Sequence, residues 1–483
     1  MEERTASRYP AGKRELIFGL AVVIFGTFLC NSILYGGFCL GFALGAIALM
    51  GCSLWYLLGC GFRPGSYDAA LLVLAAAIIA GFARSADSDM KAAMLPAAVF
   101  AVNLGFCRMA GQSRRSPGSL GSVLDAPRAL FALGVGGMSA AARGLSDARK
   151  NAGTAGKRGG AAILGLLIAL PVAAVLIVLL TRADAAFEGL MALLPETDWS
   201  EPAISLFFGC FAGWILYSRG VGLRYAEKNR KEPKAFRGLS PITVNILLMA
   251  VCLIYLAFLL SQLAYLGGGF AGILPQEYTL AQYARRGFFE MARLSFINLG
   301  LICLAIGLVE KKQDTPALTK WLCLFLGLAA LFLIAAASAK MLLYIGGYGL
   351  TRKRVLTEIF MIWLALTTVL VSVWLFKPRF AYMKGVILCA LILSCITFWA
   401  DVDAQVARYN VRAYQAGTLE TVDVEHLERL GCGAVPYIAE LTRDKNPEVA
   451  AAAQDALAGC SFDIPDFRDW NLSKAAARKA VSR

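Results

Sequence analysis

Tyr283-Ala-Arg-Arg-Gly-Phe-Phe-Glu-Met-Ala-Arg-Leu-Ser-Phe-Ile-Asn-Leu-Gly300 is the stretch on which the reading of this chain turns. Four charges lead directly into apolar sequence. At helical spacing Arg286, Glu290 and Arg293 share one face. The stretch therefore reads as the charged edge of a membrane helix. Comparable apolar runs of about twenty residues recur on both sides of it, and they make the chain a polytopic membrane protein.

The spans fall at about 16–35, 37–60, 67–83, 92–109, 160–181, 202–219, 242–266, 294–309, 320–343, 355–376 and 382–400. The predicted fold is all-α: a transmembrane helical bundle of about 11 spans with a small soluble helical C-terminal tail. The sequence divides into N-terminal spans (1–110), a basic loop (111–159), a second membrane region (160–400) and the tail (401–483). Composition agrees, with 58% hydrophobic and 17% charged residues, against about 45–50% and 25% in soluble domains. Most of the 13 cysteines sit inside apolar runs and behave as small hydrophobes, Cys39, Cys52 and Cys252 among them. With no CxxC pair and one histidine, His426, a His-rich metal site is excluded and no cofactor is expected. The net charge of +14 belongs to loop Lys and Arg. Nucleic-acid binding would need a soluble basic module, which is absent. The first apolar run carries no small-residue cleavage pattern.

Loop charge sets the threading. Four basic residues precede the first span, nine lie in 108–159 and seven in 219–238, whereas 182–201 has one basic and five acidic residues. This predicts a cytoplasmic N-terminus. Arg352, Lys353 and Arg354 oppose Lys377, Arg379 and Lys384 across one span, so the rule does not settle the last third. Between about 122 and 148, Leu130, Leu133, Met138 and Leu145 recur at helical spacing. They suggest an interfacial helix held by anionic lipid, or, from Gly118, Gly121, Gly136 and Gly137, a small-residue linker. In the tail, Asn446-Pro447-Glu448 reads as an N-cap, a first-turn proline and an acidic first turn. Gly459 reads as a C′ stop, and Gly433–Leu441 with Val449–Leu457 as one HEAT-type hairpin that needs neighbours to bury its core. On the extracytoplasmic side Cys432 and Cys460 would be free to pair.

Five strings in order carry a family resemblance: Ala169-Leu-Pro-Val172 running into Arg182-Ala-Asp-Ala-Ala-Phe187, Ala284–Glu290, Tyr344-Ile-Gly-Gly-Tyr-Gly-Leu-Thr351, Ala407-Arg-Tyr-Asn-Val411, and Gly433-Ala-Val-Pro436. Over roughly 160–440 the chain resembles bacterial membrane proteins of the domain of unknown function 4173 (DUF4173), close to DUF4153. The resemblance implies a multi-pass bacterial inner-membrane protein and supplies no reaction, ligand or catalytic residue.

Ionisable residues at membrane depth are the candidates for chemistry, because uncompensated charge in hydrocarbon is costly. Arg286, Glu290, Arg293 and Lys340, joined by Tyr348 and Arg352, are expected to form one cluster suited to an anionic ligand. The competing readings are an interfacial helix in which Glu290 neutralises two arginines, and a snorkelling Lys340. Asp184 reads as a helix-end ion pair; Asn245, Gln262 and Asn298 read as interhelical hydrogen bonds. Gly267–Gly269 and Gly346–Gly349 read as breaks, and neither fits a phosphate loop. Without a Gly-x-Ser-x-Gly elbow or a His base, a Ser-His hydrolase is disfavoured. Two functions stay open. One is a non-catalytic scaffold, sensor or assembly protein that meets a protein partner through its tail. The other is a transporter or lipid-linked enzyme using the Arg/Glu/Lys set; the absence of an internal repeat favours the first.

Overall fold

The computed structural model describes residues 13–116, 118–131, 200–225, 239–270, 288–308, 316–459 and 466–482, with a few isolated residues between 137 and 183 and at 464. The expected span at 160–181, most of the 122–148 helix, Asp184, Arg286, Cys460 and the side chain of Gln262 lie outside the described residues. Among the described residues, nine helices are long and apolar enough to cross a membrane, and Ser66–Gly81 is apolar but shorter. The chain is an all-α polytopic membrane protein built as two compact units.

The first unit contains α1 (Lys13–Gly36), α2 (Leu40–Gly59), α3 (Ser66–Gly81), α4 (Ser88–Met109) and α5 (Ser200–Tyr225). Helices α1 and α5 run antiparallel. Asn31 near the end of α1 donates to Glu201 at the start of α5 (3.2 Å), and Arg224 at the end of α5 pairs with Glu15 at the start of α1. Glycines let the two backbones approach, since a Cβ on Gly26 would stand 3.3 Å from the Gly209 carbonyl and one on Gly213 would touch Val23. Gly209 and Gly213 are four apart, the small-xxx-small spacing that replaces hydrophobic drive inside lipid. The packed interior holds Phe18 stacked on Tyr56 at 4.3 Å, with Phe106 and Leu223 beside them.

Three of the basic residues counted as loop charge, Arg108, Arg219 and Arg224, belong to α4 and α5. Arg108 ends α4 and binds Asp68 at 2.9 Å. Arg219 is buried in α5, where it donates to Asn103 Oδ1 at 3.0 Å and lies over the Phe106 ring. The helix runs to Tyr225, past the expected end at 219, because these charges find partners inside the unit and need no water.

The second unit contains α6 (Pro241–Phe270), α7 (Phe288–Leu308), α8 (Ala317–Tyr348), α9 (Arg352–Phe376) and α10 (Tyr382–Ala400). Short turns make α8, α9 and α10 antiparallel neighbours. Gly327 of α8 packs toward Ser372, and Gly385 of α10 toward Leu370. Interhelical hydrogen bonds supplement the packing: the Thr319 hydroxyl donates to Asn245 Oδ1 at 2.7 Å, as expected for Asn245, and Ser295 donates to the Ala330 carbonyl at 3.4 Å. Asn298 is fully buried on the Ser295 face of α7. One of the two expected glycine breaks is a break. Helix α6 runs through Gly267–Gly269 to Phe270, whereas α8 passes Gly346 and Gly347 and ends at Tyr348, where Gly349 takes a positive φ of 72° that glycine adopts without a side-chain clash.

Beyond α10 the chain forms α11 (Val402–Gln415), α12 (Val424–Glu428), α13 (Val435–Leu441) and α14 (Pro447–Ala458). Asn446 caps α14 by accepting from the Glu448 N–H at 3.0 Å, with Pro447 in the first turn. Gly459 ends the helix but is right-handed (φ −77°), so its special freedom is unused. Helices α13 and α14 form the hairpin; α11 and α12 supply the neighbours that it needs to bury Val435, Ile438, Leu441, Ala453 and Ala456. The tail expected as one piece divides. Residues up to 460 belong to the second unit and those from 461 to the first, where α15 (Leu472–Val481) is seated by its own backbone hydrogen bonds.

Candidate functional site: a joint between spans and helical tail

The end of α8 and the start of α9 form a corner into which α11 is fitted. Gly349 is left-handed, and a Cβ there would stand 2.7 Å from Asn410 Oδ1. Asn410 uses both amide atoms on the next residue. Its Oδ1 accepts from the Leu350 N–H at 2.7 Å, and its Nδ2 donates to the Leu350 carbonyl at 2.8 Å. Thr351 caps α9 by accepting from the Arg354 N–H at 3.4 Å. Arg352 then donates two parallel bonds of 2.7 Å to Asp403. Fork-to-fork pairing of this kind adds geometric specificity to strength. Asp403 is 3% exposed, so the pair is largely withdrawn from water.

Asp403 and Asn410 are seven residues apart, two turns of α11, with Val406 and Ala407 buried between them. The helix starts at Asp401, whose φ of 54° is the single positive value at a non-glycine among the described residues. Aspartate tolerates that region because its short polar side chain bonds locally, and here it accepts from Ala404 N. Gly433 completes the corner. A Cβ on it would crowd Ala404 N and Asp401 Oδ1, each at 3.1 Å. Arg354 lies over the Tyr344 ring at 4.2 Å and donates to the Tyr348 carbonyl at 3.1 Å. Three of the five resemblance strings (344–351, 407–411 and 433–436) thus meet at one place.

The expected charge cluster is distributed differently. Glu290 and Arg293 pair with each other at 3.2 Å and are 60% and 71% exposed. Arg352 is engaged by Asp403. Tyr348 is 52% exposed, with its ring 5.0 Å from Tyr344. Lys340 is buried within α8, and Arg286 lies outside the described residues. Sequence reasoning missed Asp403 and Asn410, although their spacing with Val406, Ala407 and Val411 was a usable signal of one buried helix face.

A second polar focus sits in the first unit, where Asp466–Trp470 is laid across the α1–α2 corner. Gly36 and Gly41 leave room for Arg468, whose Cα or Cβ would meet any Cβ added there. Arg468 bonds Asn31, Glu201 and Asp466. Desolvation works to raise the Asp466 carboxyl, but its hydrogen bonds from Arg468 outweigh this and hold it below the usual carboxylate range. Leu40 N donates to the Trp470 carbonyl at 3.1 Å, and Leu472 N to the Ala83 carbonyl at 2.9 Å. The relevant signal, an arginine 437 residues from Asn31 and 267 from Glu201, is invisible to periodicity.

The family model described as Domain of unknown function (DUF4153) matches residues 17–441. The chain belongs to the DUF4153 family. No curated protein matches it, and no solved structure does. The match falls on DUF4153, the relative named beside DUF4173. It takes in the N-terminal spans, which the resemblance over 160–440 left out. In this DUF4153 protein the whole joint lies inside the matched residues, whereas α14, Arg468 and α15 lie beyond them.

Proposed function

We propose that this DUF4153 protein is a non-catalytic scaffold, sensor or assembly protein of the bacterial inner membrane, with its N-terminus in the cytoplasm and its helical tail as the partner-binding element. The five strings also relate it to DUF4173. One observation carries the reading: the bidentate Arg352–Asp403 pair, with Asn410 on the Leu350 backbone, fixes a folded extramembrane helical unit onto a membrane hairpin. Such a joint transmits a change in the tail to α8 and α9, or the reverse, which is what a sensor or scaffold requires. The acidic 182–201 segment and the basic 108–159 and 219–238 segments support a cytoplasmic N-terminus. Anionic lipid is the counterpart of those basic segments.

Photo-reactive residues at Glu440 and Glu448, both exposed on the hairpin, test this in intact cells. Discrete protein adducts are expected from these positions and not from lipid-facing Leu253, and they should weaken in Asp403→Ala. Adducts that are indifferent to the joint would refute the coupling. Reporter fusions after Lys150 and Lys231 should read cytoplasmic and one near Pro195 extracytoplasmic; like-sided signals from all three would overturn the threading. The transporter or lipid-linked enzyme reading through Arg286, Glu290, Arg293 and Lys340 keeps one observation in its favour: Lys340 is buried, 6% exposed. Thermal stabilisation by an anionic lipid that vanishes on charge reversal at Arg293 would move the assignment to that reading.

A further inference from the structure

Cys39 occupies the corner between α1 and α2, one residue before α2 begins. Cys39 is 5% exposed, and its sulfur is met from two distant parts of the first unit. From α4, Lys91 Nζ donates to Sγ at 3.3 Å. From the C-terminal segment, Asn471 Nδ2 approaches Sγ at 3.6 Å and Asp469 Oδ1 at 3.6 Å. Lys91 is 7% exposed. Asp469 is itself held by Lys474, at 2.8 and 2.6 Å. Among the described residues, the Lys91 side chain donates to a sulfur and not to a carboxylate. Amine and sulfur are thus held about one bridging atom apart in a pocket withdrawn from water.

We propose that Cys39 and Lys91 form an oxidative cross-link, a single oxygen bridging Sγ and Nζ, when the protein meets a peroxide. A direct S–N bond would have to close most of the 3.3 Å gap, whereas one bridging atom spans much of it. The first peroxide oxidises the thiol to sulfenic acid and leaves as water, the ordinary first rung of cysteine oxidation. The second accepts two further electrons as the sulfenic oxygen bonds to the lysine nitrogen. One N–H proton and the sulfenic O–H proton leave with the peroxide oxygens as two waters. In sum, a thiol, an amine and two peroxides give the S–O–N bridge and three waters. Asn471, fully buried, and Asp469 shape the pocket and keep bulkier reagents away from the sulfur. Because they come from the C-terminal segment, the bridge also alters the contacts that seat that segment. This proposal does not rest on the scaffold reading. Under the threading above, this end of the unit faces the extracytoplasmic side, where oxidants persist.

The experiment treats the full-length protein in lipid nanodiscs with hydrogen peroxide, then denatures, alkylates, digests and analyses the peptides by mass spectrometry. The expected product is a Cys39 peptide joined to a Lys91 peptide, heavier than their sum by one oxygen less two hydrogens. Trypsin should fail to cut at Lys91, and a thiol reductant should restore both peptides. Lys91→Arg should abolish the joined peptide and send Cys39 to sulfinic acid. Two results would each overturn the proposal in the unmutated protein: Cys39 fully alkylatable after peroxide, or Cys39 oxidised to sulfinic acid while trypsin still cuts at Lys91.

Discussion

Removing the Asp403 carboxylate should release the helical tail from the membrane hairpin by an amount that the structure sets. The perturbation is Asp403→Ala. Breaking a fully buried ion pair from one side costs about 3–5 kcal/mol, because the partner is left charged and dry, whereas exposed pairs are worth about 0.2–1 kcal/mol. Arg352 keeps 22% side-chain exposure and Asp403 has 3%, so water partly rescues the orphaned guanidinium. The cost should fall between those limits, at about 2–3 kcal/mol. At 1.36 kcal/mol per tenfold, this is about a 30- to 160-fold rise in the open population of α11. Hydrogen exchange of residues 402–415 in nanodiscs reads that population directly. The double-mutant cycle with Arg352→Ala should return a coupling of about 2 kcal/mol or more, since the double variant leaves no charge behind. The Arg429–Glu425 pair, 70% and 73% exposed, is the internal control and should give about 0.3–0.5 kcal/mol. A coupling at Arg352–Asp403 no larger than at that control would refute the claim that this pair holds the joint.

Gly349→Ala should loosen the same corner, since a left-handed backbone costs an L-residue about 1–2 kcal/mol and the new Cβ would stand 2.7 Å from Asn410 Oδ1; Gly346→Ala, with nothing within 4 Å, should leave exchange of α11 unchanged, and equal effects would argue against the fitted corner. Acid should free the C-terminal segment: Asp466 has a depressed folded carboxyl, so its contribution is present above the unfolded carboxylate range and is lost as pH falls through the depressed folded one. A spin label at Val481, 46% exposed, should be steady from about pH 8 to about pH 5 and gain mobility only below about pH 4; mobility rising within the upper range would refute the role of Asp466.

Properties that depend on neighbouring residues were legible in the linear chain. Apolar length identified the membrane spans, since a bilayer demands about twenty apolar residues wherever they occur. The Asn446-Pro447-Glu448 cap and the α13–α14 hairpin were likewise readable, because caps are satisfied within one turn. The two Asn roles show the limit. Asn245 read as an interhelical bond and is one, but Asn410 gave no such sign until its helix was laid against Leu350. Arg352 read as part of a ligand cluster because the sequence shows its charge and not its counterion, which arrives from Asp403 after two full spans and the turn between them. Arg219 and Arg108 read as loop charges for the same reason, and proved to be partnered inside the first unit. The division of the tail, with Arg468 returned to Asn31 and Glu201, was decided by tertiary structure alone. Hydrophobic length and caps are local and survive in one dimension; which charge neutralises which depends on how the chain doubles back, and only the packed helices fix that.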